Sequence, residues 1–340
     1  MRTACVSALA LAAFAAAAGA WEGHAELTRE SLRDVDWLDA VAALPVTTRS
    51  DRIELTNPGY AFASRGELPG QTVSARAVLE TYVDEPDGGA NGPDDSMLLS
   101  WQQTYLVPLG GSSSRRLLQT FHPAKSVHFP LSAITLGKAP ERAGVYFRAA
   151  RMAFDRGDPY WGFRYAACLL HYIQDAAEPF QSSESSTVFM LPGDNAPATA
   201  VVLANYHRVF QGWVERRLVD SAYGLVQPLR GTQADDYRHP DEAVETVAGQ
   251  SREHGLSLFE ACVRFFDRRF RRAELLSPRD TDLAQLEPEP AAQKLAREAR
   301  EALRRSARAT RGMLALIRPI IRERFLEPAA PRTNGRPGAP

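Results

Sequence analysis

Two side chains four residues apart carry the clearest chemistry in this chain. They are His171 and Asp175, within Leu169-Leu170-His171-Tyr172-Ile173-Gln174-Asp175. On a helix that spacing puts an imidazole and a carboxylate on one face. Such a pair is half a metal site, a neutral ring nitrogen beside a carboxylate able to bridge two ions; it can equally be a plain His–Asp hydrogen bond. His207 begins a second set of this spacing, with Gln211 at the fourth position. Asp84 and Asp87 lie in the Gly-rich turn Asp84-Glu85-Pro86-Asp87-Gly88-Gly89, where carboxylates either converge on a cation or stay solvated. His122, in Phe121-His122-Pro123, and His128 precede the central apolar segments. Trp21-Glu22-Gly23-His24 adds a conditional site. If the chain is cut after Ala20, a free α-amine, its own carbonyl and the His24 imidazole together offer donors to one cation. Otherwise Trp21 simply starts a helix.

That cut is expected from the leader. Arg2 gives a positive start, Val6 to Ala18 is an apolar run too short to span a bilayer, and Ala18-Gly19-Ala20 has the small residues of a cleavage site. Residues 1–20 therefore read as a signal peptide, and the mature protein as secreted or periplasmic. No later apolar run approaches the length of a membrane span. The 40 Lys and Arg balance 41 Asp and Glu, so no global basic field argues for nucleic acid. Of three cysteines, Cys5 leaves with the leader. Cys168 sits in a strongly apolar helical pattern and is expected to be a buried thiol; pairing with Cys262 is the alternative an oxidising compartment would permit.

The elements that must position these groups are mainly helical. Apolar periodicity predicts helices at about 24–43, 139–156, 159–178, 197–220, 239–272 and 290–326, with weak strand-like alternation at 101–107 and 115–121. The expected fold class is all-α, a single multi-helix bundle domain over 21–272. Long irregular loops should separate the first helix from the central ones. Residues 273–327 form a C-terminal helical extension and 328–340 a disordered tail. Residues 291–326 are rich in Ala and Arg, and either pack onto the bundle or lie on an anionic membrane surface. Pro319 is expected to kink or end that helix.

Taken jointly, these stretches resemble the secreted zinc-dependent phospholipase C and single-strand nuclease superfamily, over about residues 21–220. Trp21 with Gly23-His24 is similar to the family's N-terminal ligands, and Thr81-Tyr82-Val83-Asp84 to the stretch with a carboxylate ligand. His171-x3-Asp175 followed by Glu178-Pro179-Phe180 resembles the central helix and its exit. Asn205-Tyr206-His207 with Gly212-Trp213-Val214-Glu215 resembles the next ligand helix. The Tyr-x-Asp stretch and the helix exit fit the phospholipase branch better.

The resemblance implies an all-α fold and zinc-dependent phosphodiester hydrolysis by an activated water. Asp84, His122, His171 and Asp175 would hold one ion, with Trp21, His24 and Asp175 on the second. Asp84 would also act as the catalytic base orienting the water. At two positions the chain departs from the pattern: Gln181 and Gln211 stand where the family places His and a carboxylate on a third zinc. An amide is a poor zinc ligand, so that site keeps only His207 and about two ions are expected. Counting back from Tyr146 selects His122 as the early ligand; aligning on Pro123 selects Gln119, and His128 stands in reserve.

The expected activity is a secreted phospholipase C acting on glycerophospholipids, with peripheral membrane contact. A single-strand nuclease or other phosphodiesterase of the same fold is the alternative. So is a catalytically impaired exported relative that binds metal, lipid or a partner. A nuclease would need aromatic stacking near the metals; Trp101, Trp161 and Trp213 are the candidates, or else core.

Overall fold

The computed structural model describes residues 23–48, 60, 62–86, 103–108, 131–136, 139–182, 196–272, 274–284 and 289–326. Trp21, Asp87, Trp101, Gln119, His122, His128, the leader, the tail and the expected strand at 115–121 lie outside these residues.

Helices run in the order α1 (His24–Leu32), α2 (Ala75–Tyr82), α3 (Ala139–Asp155), α4 (Pro159–Ala176), α5 (Ala196–Val219), α6 (Pro240–Arg252), α7 (Gly255–Phe265) and α8 (Glu289–Ile321). Two small antiparallel ribbons accompany them. Leu44–Pro45 pairs with Thr72–Val73, and Gln103–Pro108 with Leu131–Leu136. The fold is all-α.

α4 is the central element because its sequence leaves it no wet face. All eighteen of its residues are buried, the polar Arg164, His171, Gln174 and Asp175 included. Its start is encoded locally. The Asp158 carboxylate accepts from Trp161 N at 3.3 Å, and Pro159 occupies the first turn, where no amide hydrogen is needed. Gly162 lets α3 approach: a Cβ there would lie 2.5 Å from Phe154 Cε1.

α8 holds the bundle together. Leu295, Ala299, Ala302 and Leu303 belong to one buried apolar cluster, and Ala309, Met313, Leu314 and Ile317 to the other. At about 1.5 Å per residue this helix is roughly 50 Å long, enough to reach through both. The C-terminal helix therefore packs onto the bundle and contributes to both clusters. Pro319 lies inside the helix; α8 ends two residues later at Ile321 and passes into a π-type turn at Arg322–Leu326. Among the described residues no helix is long and apolar enough to cross a membrane.

Other boundaries differ from the periodicity. α1 ends at Leu32 because the Arg76 guanidinium of α2 takes the Leu32 carbonyl and, at 3.4 Å, that of Val35. α2 itself is short, begun by Ser74 accepting from Ala77 N at 3.1 Å, and too brief for an apolar period to reveal. The expected helix at 239–272 divides at Glu253-His254 into α6 and α7. Residues 103–108 pair with 131–136, a strand the sequence did not signal.

Candidate metal centre

Three elements converge on one fully buried polar group. His24 opens α1, with Gly23 before it at φ 95°, the left-handed conformation that glycine adopts without strain. A Cβ on Gly23 would sit 3.4 Å from the Glu215 side chain of α5, so the start of α1 is laid against that helix. His171 and Asp175 project from α4 as their spacing predicts. Asp175 Oδ1 is 3.3 Å from His24 Nε2, and Asp175 Oδ2 is 3.2 Å from His171 Nε2. The two imidazole centroids are 4.4 Å apart. One carboxylate thus addresses two imidazoles, one oxygen to each.

All three side chains are completely buried, and each offers a ligand atom within 4.8 Å of the others. Among the described residues this is the single His, Cys, Asp and Glu group with that property. Burial by itself would raise the Asp175 carboxyl, but the His171 and His24 imidazoles outweigh it and hold that group well below the usual carboxylate range. Two ring nitrogens and a carboxylate form a donor set that suits zinc or a similar borderline cation. Stripped of water, the same set is costly to keep without a compensating charge.

Asp84 is not brought into this group. Its neighbour Glu85 is turned inward instead, accepting from Arg164 Nε at 2.9 Å and from the Tyr60 hydroxyl at 2.7 Å. Cys168 Sγ lies 3.9 Å from Glu85. Arg164, Cys168, His171 and Asp175 recur at i, i+4, i+7 and i+11, one stripe of α4. Residues 83–86 are therefore anchored to the His171–Asp175 face of α4, but by Glu85, two turns before His171. The reason is electrostatic. A buried guanidinium needs a carboxylate partner, and Arg164, stacked 3.9 Å from the centroid of the Tyr82 ring, takes the nearer one.

The second cluster corrects an expectation. His207 is not left without partners: Glu178 Oε2 stands 3.0 Å from its Nε2. Glu178 was read only as part of a helix exit. After α4 ends, Pro179 begins a single turn, Pro179–Ser182, and Glu178 accepts from Phe180 N at 3.1 Å and Gln181 N at 2.9 Å. That capping geometry aims the carboxylate at α5. Gln181 faces the other way, its Nε2 donating to Asp175 Oδ1 at 2.9 Å. Gln181 Oε1 and Gln211 Nε2 are buried without hydrogen-bond partners among the described residues. Gln181 thus braces the first cluster, and Gln211 lies one helical turn after His207 on α5.

Trp161 and Trp213 are core residues. Trp161 Nε1 donates to Thr47 O at 3.1 Å, and the Trp213 ring lies 5.7 Å from that of Phe265. Cys168 and Cys262 are both buried free thiols, in separate clusters. Compared with known proteins, the chain matches no family model and no curated sequence.

Proposed function

We propose that this chain is an exported zinc-dependent phosphodiester hydrolase, a phospholipase C acting on glycerophospholipids. The observation that carries the reading is the Asp175 carboxylate, buried and shared between His24 and His171 with one oxygen facing each. A bridging carboxylate between two imidazoles from separate helices suits a pair of cations better than a lone hydrogen bond. Zinc bound there would supply Lewis acidity toward a phosphoryl oxygen and make a water nucleophilic near neutral pH.

The protein's own part is positional. His24 and Asp175 hold one side of the centre, with the Trp21 amine completing it after cleavage at Ala20. His171 and Asp175 hold the other side, with His122 and Asp84 as the expected additional ligands. Gln181 restrains Asp175 Oδ1, so the carboxylate cannot rotate away. Asp84, one residue beyond the reach of the Glu85 anchor, would swing in to orient the nucleophile.

The same bond from Gln181 favours one second reading. An amide donor on Asp175 competes with a cation for that oxygen, and Gln211 offers no carboxylate to a third ion. A relative that retains metal and lipid binding but little turnover fits these substitutions.

Elemental analysis of the exported protein, paired with head-group release from phosphatidylcholine and cleavage of single-stranded DNA, decides among these. About two zinc ions with phosphatidylcholine hydrolysis supports the main reading. DNA cleavage alone moves the assignment to a nuclease, and zinc without any hydrolysis to the impaired relative. Protein free of zinc would sink all three.

A further inference from the structure

His24 has a second ring nitrogen, and what holds it bears on the whole centre. Nδ1 lies 2.8 Å from Gln174 Oε1, while Gln174 Nε2 donates to Thr28 Oγ1 at 2.9 Å and to Thr310 Oγ1 at 3.2 Å. His24, Thr28, Gln174 and Thr310 are all fully buried. The amide, itself on α4, is thus gripped at both ends by two other helices, α1 and α8. Its two amide hydrogens meet two hydroxyl oxygens, and its one carbonyl oxygen meets one ring nitrogen. Threonines inside helices suit that division, because their hydroxyl hydrogens commonly serve a carbonyl one turn back.

A carbonyl oxygen only accepts, so Nδ1 must carry the proton. In a neutral imidazole Nε2 is then a lone pair, and Nε2 is the atom 3.3 Å from Asp175 Oδ1. The reversed amide would have the opposite consequence. It would donate to Nδ1, force the proton onto Nε2, and turn the His24–Asp175 contact into an ordinary hydrogen bond with no room for a cation. Gln174 therefore decides which kind of site this is.

We propose that Gln174, braced by Thr28 and by Thr310 of α8, is a positioning residue that holds His24 as its Nδ1–H tautomer and so presents Nε2 as a metal ligand. This rests on the metal reading of the same centre. It also gives α8 a part in that centre, although α8 lies beyond residues 21–220, where the resemblance ends. A ligand imidazole is usually fixed by a hydrogen bond from its other nitrogen, and loss of such a partner weakens metal binding about 10–100-fold.

The test has two independent arms. In metal-free protein labelled with nitrogen-15 at histidine, long-range proton–nitrogen spectra report the tautomer of each ring, with His24→Gln identifying the His24 signals. A proton on His24 Nδ1 is expected, whether or not Nε2 also carries one toward Asp175 in the absence of metal; a bare Nδ1 with the proton on Nε2 overturns the proposal, whatever the metal content. In the second arm zinc affinity is measured by competition with a chromophoric chelator. Gln174→Met, similar in shape but lacking the amide oxygen, should bind zinc about 10–100-fold more weakly. Gln174→Glu, which keeps an acceptor, should recover most of that loss, and Thr310→Val should weaken binding less than Gln174→Met does. Equal zinc affinity in Gln174→Met and the unmodified protein would overturn the positioning role. Unmodified protein that binds no zinc defeats the metal reading instead, and the tautomer still decides what Gln174 does.

Discussion

Replacing Asp175 by Asn separates a metal centre from a buried hydrogen-bonded trio. The carboxylate has one oxygen 3.3 Å from His24 Nε2 and the other 3.2 Å from His171 Nε2, and Oδ1 also receives Gln181 Nε2 at 2.9 Å. An asparagine keeps a single, neutral oxygen, so the buried negative charge that both imidazoles face is lost. Removing one member of a fully buried ionic arrangement costs about 3–5 kcal/mol, and that is the loss expected in metal-free protein by urea denaturation.

With zinc the difference should widen. A ligand held at about 100 times its dissociation constant adds about 2.7 kcal/mol to a native state that binds it, and Asp175→Asn should forfeit that increment. Zinc content should fall further in Asp175→Asn than in His24→Ala, because Asp175 is assigned to both ions and His24 to one. The acid dependence follows from the sign of the shift. The folded-state carboxyl is held below its ordinary range, so its stabilisation is complete above about pH 4 and declines as pH falls toward the folded-state value. The stability gap between unmodified metal-free protein and Asp175→Asn should narrow over that acid interval. Unchanged zinc content in Asp175→Asn, with a zinc-independent stability difference, would refute the metal centre and leave a structural pair.

The exported chain should begin at Trp21 by intact mass, and one added residue before Trp21 should remove one zinc without changing helical circular dichroism; a different start defeats the N-terminal ligand. Gln211→Glu should raise bound zinc from about two ions to three, since it adds a carboxylate one helical turn from His207, which Glu178 already faces; no gain in zinc by elemental analysis counts against a vacant third site. Gly162→Ala should cost about 1–3 kcal/mol in urea denaturation, because its Cβ would meet the Phe154 ring at 2.5 Å; a neutral effect would mean that α3 and α4 can part there freely.

Sequence alone determined the helical class, the first turn of α4, and the presence of His171 and Asp175 on one face, because each is written within a few neighbouring residues. Asp158-Pro159 sets a helix start, and a spacing of four sets a shared face, whatever packs outside. His24 was legible as a candidate for the same reason, from its place behind the expected cleavage motif Ala18-Gly19-Ala20. What the sequence could not decide is which distant carboxylate or amide meets which base. Asp84 and Glu85 are adjacent and equally acidic, and only the position of Arg164 in an aromatic enclosure draws Glu85 inward and leaves Asp84 outside the buried trio. Glu178 looked like a helix exit until the Pro179 turn aimed it at His207, across a gap of 29 positions. Gln174 lies between two recognised ligands without any spacing of its own to mark it, and its role arises from Thr310, over a hundred residues away. Local hydrogen bonding and periodicity act along the chain and can be read from it. Partner choice in a dry interior depends on geometry summed over several helices, and only the tertiary fold supplies that sum.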